Sequence, residues 1–279
     1  MEFATLNNGV QMPMAGIGTF LLSPDEAEAS VLSALQCGYR LIDTANAYVN
    51  EKAVGRAIKK SGVDRKDIFL ETKLWPAFYE QADAVDKTLE RLGTDSIDLL
   101  LIHQPAGNYV AGYKLMEKAY QEGKVRAIGL SNFNPDRLAD LIAFNEMPPA
   151  VNQVECNVFF QQHKAQDYMQ SKGVQMQSWA PFAEGHNDLF HNETLTAIGV
   201  KYGKSVAQVV LRWQLQRGIV CIPKSTKKER MAQNFDVFGF TLSQEDMDAI
   251  AALDTGVSSF FDHRDPAVVE MLAGLVRKV

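Results

Sequence analysis

Cysteine is scarce in this chain. Cys37, Cys156 and Cys221 are its three examples in 279 residues. They are far apart, odd in number and outside any metal-ligand spacing, so we expect neither a disulfide framework nor a metal site. A cysteine in this setting is typically a small buried hydrophobic residue.

Long apolar runs and an excess of basic charge are also missing. No apolar segment reaches the ~18 residues of a membrane span, and residues 1–5 do not resemble the start of a signal peptide. The chain has 28 basic and 34 acidic side chains, and the resulting net charge of -6 argues against a nucleic-acid or anionic-membrane partner. We therefore expect a cytoplasmic protein.

No linker rich in proline or glycine interrupts a regular alternation of short apolar runs and amphipathic helices. Eight runs are predicted as strands, at residues 14–20, 40–43, 68–74, 97–103, 125–130, 150–155, 174–179 and 218–222. Helices are predicted between them, at residues 24–37, 51–61, 79–92, 108–122, 135–145, 161–171 and 205–216. Eight strand and helix units predict an α/β protein with a (β/α)8 TIM barrel, formed by residues 1–279 as one domain.

Three further features lie outside the eight units. Asn8-Gly9 between short alternating runs predicts an N-terminal β-hairpin. Residues 192–202 and 243–253 predict two extra helices, and the short tail from residue 258 could fold over one end of the barrel.

Polar residues stand near the ends of three successive strands, where barrel active sites lie. They are Asp43, Lys73 and His103, and Tyr48 follows the first strand after a short loop. A period of two places Lys73 on the barrel-facing side with Phe69 and Glu71, and a buried lysine needs a partner such as Asp43. Alternatively, Lys73 and Asp43 form a structural ion pair, and His103 is an ordinary core histidine.

Taken together, the four side chains suit carbonyl reduction. Tyr48 would give a proton to the carbonyl oxygen, Lys73 would lower the pKa of Tyr48 toward neutrality, Asp43 would hold Lys73, and His103 would orient the carbonyl. A second hypothesis is a lyase that uses Lys73 as a Schiff-base nucleophile. A third is a non-catalytic sensor.

Ordered sequence blocks along nearly the whole chain resemble the aldo-keto reductase family, including its bacterial 2,5-diketogluconate-reductase-like and prostaglandin F synthase-like members. The blocks lie at residues 16–19, 43–51, 72–75, 98–103, 123–133, 152–155 and 222–234. The resemblance implies that Asp43, Tyr48, Lys73 and His103 form a catalytic tetrad. It also implies a monomer that uses NADPH.

The cofactor site is predicted partly from the residues and partly from the resemblance. Gly16 and Gly18 lack the third glycine of a Rossmann fingerprint, so another mode of dinucleotide binding is required. The basic stretch 224–230 enters a helix and could bind an anion, although a solvated helix start is the plainer interpretation. The resemblance assigns Ser131, Asn132 and Gln153 to the nicotinamide carboxamide, Trp179 to ring stacking, Lys224, Ser225 and Arg230 to the 2′-phosphate, Asn234 to the adenine, and Gly18, Thr19, Asp43, Thr226 and Gln233 to the rest of the cofactor.

The substrate pocket is expected between Phe20, Tyr48, Trp75 and His103, with tail residues such as Phe260 nearby. The family's long loops are short here, at residues 106–108 and in the tail. We therefore expect small aldehydes, α-dicarbonyls or keto sugars as substrates.

Overall fold

Eight parallel strands form a barrel in the computed structural model, which describes residues 1–277 and 279. The barrel strands are β3 (Gly16–Gly18), β4 (Leu41–Asp43), β5 (Phe69–Leu74), β6 (Leu99–Ile102), β7 (Ile128–Ser131), β8 (Val151–Glu155), β9 (Gln175–Trp179) and β10 (Val220–Cys221). They pair in sequence order from β3 to β10. A parallel bridge between Ala15 and Cys221 joins the first strand to the last, and the Cys221 amide donates to the Met14 carbonyl at 3.0 Å. The predicted barrel is confirmed.

Helices cover the outside of the barrel. They are α1 (Pro24–Gln36), α2 (Glu51–Ser61), α3 (Ala84–Leu92), α4 (Tyr109–Gln121), α5 (Pro135–Phe144), α6 (His163–Ser171), α7 (Glu193–Tyr202), α8 (Val206–Gln216), α9 (Lys228–Phe235), α10 (Gln244–Ala251) and α11 (Pro266–Gly274). Capping boxes at Ser23, Ser205 and Ser243 begin α1, α8 and α10 by satisfying backbone N–H groups of the first turn. In the described part of the chain, no helix is long and apolar enough to cross a membrane.

The barrel interior changes from apolar to polar along the strand direction. Leu41, Phe69, Leu99 and Val151 pack in one buried cluster. Two residues further along three of these strands lie Asp43, Glu71 and Gln153. The Gln153 amide donates to Asp43, to Glu71 and to Gln177 of β9, and the Gln177 amide donates to Glu71. Because side chains two apart on a strand share a face, the polar layer lies directly above the apolar one, toward the end where barrel active sites lie.

The N-terminal hairpin covers the opposite end of the barrel. Strands β1 (Phe3–Thr5) and β2 (Gln11–Pro13) pair in antiparallel register, and Gly9 has the positive φ of 85° that their turn requires. The Asn7 and Asn8 side chains donate to the Pro149 and Arg126 carbonyls, which precede β8 and β7. The predicted hairpin is confirmed, as are the extra helices α7 and α10.

Two elements differ from the expectations. The helix predicted from residue 79 begins at Ala84, since the Tyr79 hydroxyl is held by the Gln104 backbone at 2.8 and 3.0 Å and the chain turns before the helix starts. The tail does lie over one end of the barrel, and it contains a helix, α11, that was not predicted. Leu272 of α11 packs on Trp75, whose indole N–H donates to the Leu275 carbonyl at 2.7 Å.

Candidate active site

The ends of β4 and β5 bring an acid and an amine together inside the barrel. The Lys73 ammonium contacts Asp43 Oδ1, donates to the Thr44 carbonyl at 2.9 Å and lies 3.5 Å from the Tyr48 hydroxyl. Lys73 is fully buried and Asp43 is 2% exposed. The structure therefore places three members of the predicted tetrad in one chain of contacts.

The loop after β4 positions Tyr48 through buried side chains. Thr44 Oγ1 donates to Asn50 Oδ1 at 2.8 Å, and the Asn50 amide donates to the Thr19 carbonyl at 3.0 Å. Asn46 Oδ1 accepts the backbone N–H of Trp75 at 3.0 Å. The loop is thus attached both to the residues that follow β3 and to those that follow β5, which fixes the direction of the tyrosine.

His103, directly after β6, completes the group. Its ring is edge-on to Tyr48 at 5.5 Å and to Trp75 at 5.0 Å between ring centroids, and Phe20 lies 5.1 Å from Tyr48. The buried Nδ1 atom of the His103 ring has no hydrogen-bond partner among residues 1–277 and 279. The four residues predicted for the substrate pocket therefore lie side by side, with an imidazole that retains its full capacity for hydrogen bonding.

Burial and neighbouring charge set the protonation states of this group. Burial lowers the pKa of Lys73, but contact with the carboxylate of Asp43, the largest opposing influence, helps to raise that pKa above its ordinary value. Burial holds the pKa of His103 well below its usual range, helped by the charges of Lys73 and Arg277, so the imidazole is neutral.

Tyr48 differs from its expectation. Burial of its hydroxyl raises the pKa of Tyr48 to about 12, and the positive charge of Lys73 only partly opposes this. Lys73 lowers the pKa of Tyr48, as expected, but removal from water outweighs that one charge, so the net pKa is not brought toward neutrality. The phenol is therefore fully protonated at neutral pH.

The residues predicted to hold the nicotinamide carboxamide lie in two different environments. The Asn132 amide donates to Ser131 Oγ and to the His103 carbonyl, both at 3.1 Å, and Asn132 Oδ1 accepts the Trp179 indole N–H at 2.8 Å. Ser131, Asn132 and Trp179 thus form one polar edge beside the tetrad. Gln153 instead directs its amide nitrogen into the barrel, toward Asp43 at 3.0 Å.

Gly18 and Thr19, at the end of β3, are held against the tetrad by the barrel itself. A Cβ on Gly18 would lie 3.0 Å from the Ile222 carbonyl, so a side chain there would disturb barrel closure. Thr19 Oγ1 donates to the Asp43 carbonyl at 3.0 Å. Both residues therefore have structural roles in addition to the cofactor contact predicted for them.

The basic stretch after β10 is exposed and leads into α9. Lys224, Thr226 and Arg230 are exposed. Ser225 is half-buried, and its hydroxyl accepts the Lys227 backbone N–H at 3.1 Å. Further along, Gln233 is exposed and Asn234 buried. Within the described chain, no carboxylate lies within 4.0 Å of Lys224, Lys227, Lys228 or Arg230. Cations without internal partners are suited to binding an anion.

Glu71 and Gln177 belong to the site although no role was predicted for them. Glu71 is fully buried and accepts from the Gln153 and Gln177 amides at 2.6 and 2.9 Å. The alternation in β5 placed Glu71 on the interior face, but only the strand register shows that it lies beside Asp43. Among residues 1–277 and 279, no cluster of three His, Cys, Asp or Glu side chains suits a metal ion.

Comparison with known proteins identifies the family. The sequence profile described as "Aldo/keto reductase family" matches residues 14–255. The chain belongs to this family. As an aldo/keto reductase it is 46% identical over 254 residues to a glyoxal reductase of Bacillus subtilis, covering 89% of this chain and 91% of the relative. A morphine 6-dehydrogenase of Pseudomonas putida is 42% identical over 277 residues, covering 93% and 94%.

Solved structures of other aldo/keto reductases share the fold. The enzyme MGS-M4 from a deep-sea metagenome library has a TM-score of 0.91 at 44% identity, with 95% of this chain and 99% of that chain covered. A Bombyx mori aldo-keto reductase in complex with NADP has a TM-score of 0.88 at 34% identity, with 93% and 95% covered. This aldo/keto reductase is accordingly an oxidoreductase that acts on carbonyl groups with a nicotinamide cofactor.

Proposed function

We propose that this enzyme reduces small aldehydes, α-dicarbonyls or keto sugars to alcohols with NADPH, and that Tyr48 is the proton donor. The contact chain from Asp43 through Lys73 to Tyr48, with His103 at its open end, carries the proposal. A phenol that keeps its proton at neutral pH, next to a buried ammonium, can give that proton to a carbonyl oxygen.

Each residue of the tetrad has one task in this proposal. A bound reduced nicotinamide supplies the hydride. Tyr48 gives its proton, and the charge of Lys73 stabilises the phenolate that remains. Asp43 keeps Lys73 charged and in place, while the neutral His103 ring orients the carbonyl oxygen by a hydrogen bond. Because Lys73 is charged and engaged by Asp43 and the Thr44 carbonyl, the Schiff-base alternative is disfavoured.

The preference for NADPH rests on the stretch from residue 224 to residue 234. Lys224, Ser225 and Arg230 would bind the 2′-phosphate, and Thr226, Gln233 and Asn234 would complete the adenosine side. The exposed cations of this stretch have no carboxylate partner in the described part of the chain, which supports this assignment, as does the NADP complex of the Bombyx mori relative. Gly18, Thr19, Ser131, Asn132, Gln153 and Trp179 surround the tetrad and would hold the nicotinamide side.

Small carbonyl substrates are proposed from the pocket between Phe20, Tyr48, Trp75 and His103. Phe20 packs against Tyr48 with ring centroids 5.1 Å apart, Trp75 packs against His103 at 5.0 Å, and α11 lies beside Trp75. The glyoxal reductase relative supports α-dicarbonyl substrates. Because of the morphine 6-dehydrogenase relative, oxidation of a bulkier alcohol should also be tested. A monomeric state and a cytoplasmic location stay predictions.

The test is a panel of aldehydes, α-dicarbonyls and keto sugars, followed by NADPH oxidation with the wild type, Tyr48→Phe and a control, Tyr168→Phe on α6. Loss of the proton donor should lower kcat by about 100- to 10,000-fold. NADPH binding, measured by fluorescence, should not change, and the control should match the wild type. Unchanged turnover in Tyr48→Phe would refute the assignment. Tight NADPH binding with negligible turnover of every carbonyl would instead favour the sensor hypothesis.

A further inference from the structure

Glu71 is a fully buried carboxyl group that has no cationic partner among residues 1–277 and 279. It is 0% exposed, and its two oxygens accept from the amides of Gln153 at 2.6 Å and Gln177 at 2.9 Å. No lysine, arginine or histidine nitrogen of the described residues lies within 4.0 Å of it. Buried carboxylates are normally paired with a cation, so this group needs another explanation.

The surroundings of Glu71 contain more negative than positive charge. Asp43 is its register partner on β4, and Lys73, two residues along on β5, is in contact with Asp43. Gln153 on β8 and Gln177 on β9 are neutral, and the facing residue of β6 is Leu99. Tyr48 is the remaining titratable neighbour. Two ionised carboxylates beside one ammonium would leave a net negative charge inside the barrel.

A proton on one carboxyl group removes that excess charge. Burial, and then the charge of Asp43, raise the pKa of Glu71 well above its ordinary value, so the proton belongs on Glu71. Asp43 Oδ1 already receives the Lys73 ammonium and the Gln153 amide, so the single cation of the layer is in contact with Asp43 and not with Glu71. The two acids thus divide between a neutral and a charged state, as paired buried carboxyls generally do.

We propose that Glu71 is a positioning residue that stays protonated in the active enzyme, anchors the Gln153 amide, and leaves Asp43 as the only ionised partner of Lys73. Gln153 directs its Nε2 toward Glu71, Asp43 and Gln177 Oε1, so its Oε1 is the atom left for other contacts. Replacing Glu71 by an apolar residue would release that amide. The part of this inference that concerns cofactor binding and turnover rests on the proposed function.

The first experiment detects the proton directly. Infrared spectra at pH 7 are compared between the wild type, Glu71→Gln and a control, Glu117→Gln, which changes a buried carboxyl paired with Lys114 on α4. We expect the carbonyl stretch of a protonated carboxyl in the wild type and the control, and its loss in Glu71→Gln. Identical spectra for all three proteins would overturn the proposal.

The second experiment uses stability. A folded-state pKa above the unfolded value stabilises the fold at low pH, and this contribution is lost as pH rises above about 4.3. The Tm of Glu71→Gln relative to the wild type should therefore increase steadily from pH 5 to pH 8, while Glu117→Gln should not show this trend. A constant difference for Glu71→Gln would contradict a protonated Glu71.

The third experiment separates positioning from folding. Glu71→Gln keeps one neutral oxygen that can accept the Gln153 amide, so it should weaken NADPH binding less than Glu71→Leu does. Glu71→Leu, if folded, should weaken NADPH binding by about fivefold, the effect of one lost hydrogen bond. Equal losses of NADPH affinity in the two variants would overturn the proposal. Absence of carbonyl reduction in the wild type would refute the proposed function but leave the infrared result valid.

Discussion

The barrel's polar layer and the basic stretch after β10 differ in how their polar and charged groups are stabilised. The layer joins Asp43, Glu71 and Gln153 from strands far apart in sequence, all buried and all hydrogen-bonded to one another or to Lys73 and Gln177. The basic stretch is contiguous and mostly exposed, and its cations lack carboxylate partners in the part of the chain that the structure describes.

The comparison shows where a protein must neutralise its own charges. Inside the barrel an unpaired ion costs several kcal/mol, so every charge there has a built-in partner before any ligand arrives. At the surface, water solvates a lysine or arginine at little cost, so those side chains need no carboxylate partner and are available to bind an external anion. The interior should therefore determine catalysis and stability, and the surface stretch should determine cofactor choice.

Lys73→Met should have the largest effect, and it tests whether the interior determines catalysis and stability. It removes the charge next to Tyr48 and leaves Asp43 buried without a counterion. We expect kcat to fall by about 100- to 10,000-fold and the free energy of unfolding to fall by about 3–5 kcal/mol. Steady-state kinetics and denaturant unfolding measure both effects, with exposed Lys172→Met as the control. Wild-type kcat in Lys73→Met would show that the interior pair is merely structural.

Arg230→Ala tests the opposite region. Loss of a charge-assisted hydrogen bond of ~1.5–3 kcal/mol should raise the KM for NADPH by about 10- to 150-fold and leave the KM for NADH and the stability unchanged. Initial rates with both cofactors measure this. Equal effects on NADPH and NADH would refute the 2′-phosphate assignment.

The pH dependence of the free energy of unfolding tests the buried region through His103. Its depressed pKa means that the folded protein keeps the ring neutral while the unfolded chain takes up a proton below about pH 6.5, so stability is lost as pH falls. The loss between pH 7 and pH 5 should be smaller in His103→Gln by about 2 kcal/mol. A loss in His103→Gln equal to that in the wild type would contradict a neutral His103.

Salt should give the smallest effect. The Debye length falls from about 10 Å at 0.1 M to about 3 Å at 1 M, so exposed charges are screened and buried ones are not. We expect the KM for NADPH to rise several-fold over this range, while kcat changes little. A kcat that falls in parallel with NADPH affinity would mean that the interior is also open to screening.

Local sequence signals predicted some features well. The helices predicted at residues 205–216 and 243–253, the Asn8-Gly9 turn and the strand runs depend on neighbouring residues, so these elements formed as expected. Helix α11 was not predicted because Trp75 and the Leu275 carbonyl, which hold its end, are 200 residues apart. The start of α3 was misplaced because Tyr79 is held by Gln104, another contact between distant segments.

The sequence alone determined the barrel, the identity of the tetrad candidates and the position of the basic stretch, because strand periodicity and local charge depend on residues that are neighbours in the sequence. Only the tertiary structure decided the protonation states and the role of Glu71. Strand register places Glu71 beside Asp43, and burial raises the pKa of Tyr48 against the pull of Lys73. Desolvation depends on everything packed around a group, and no local pattern contains that information.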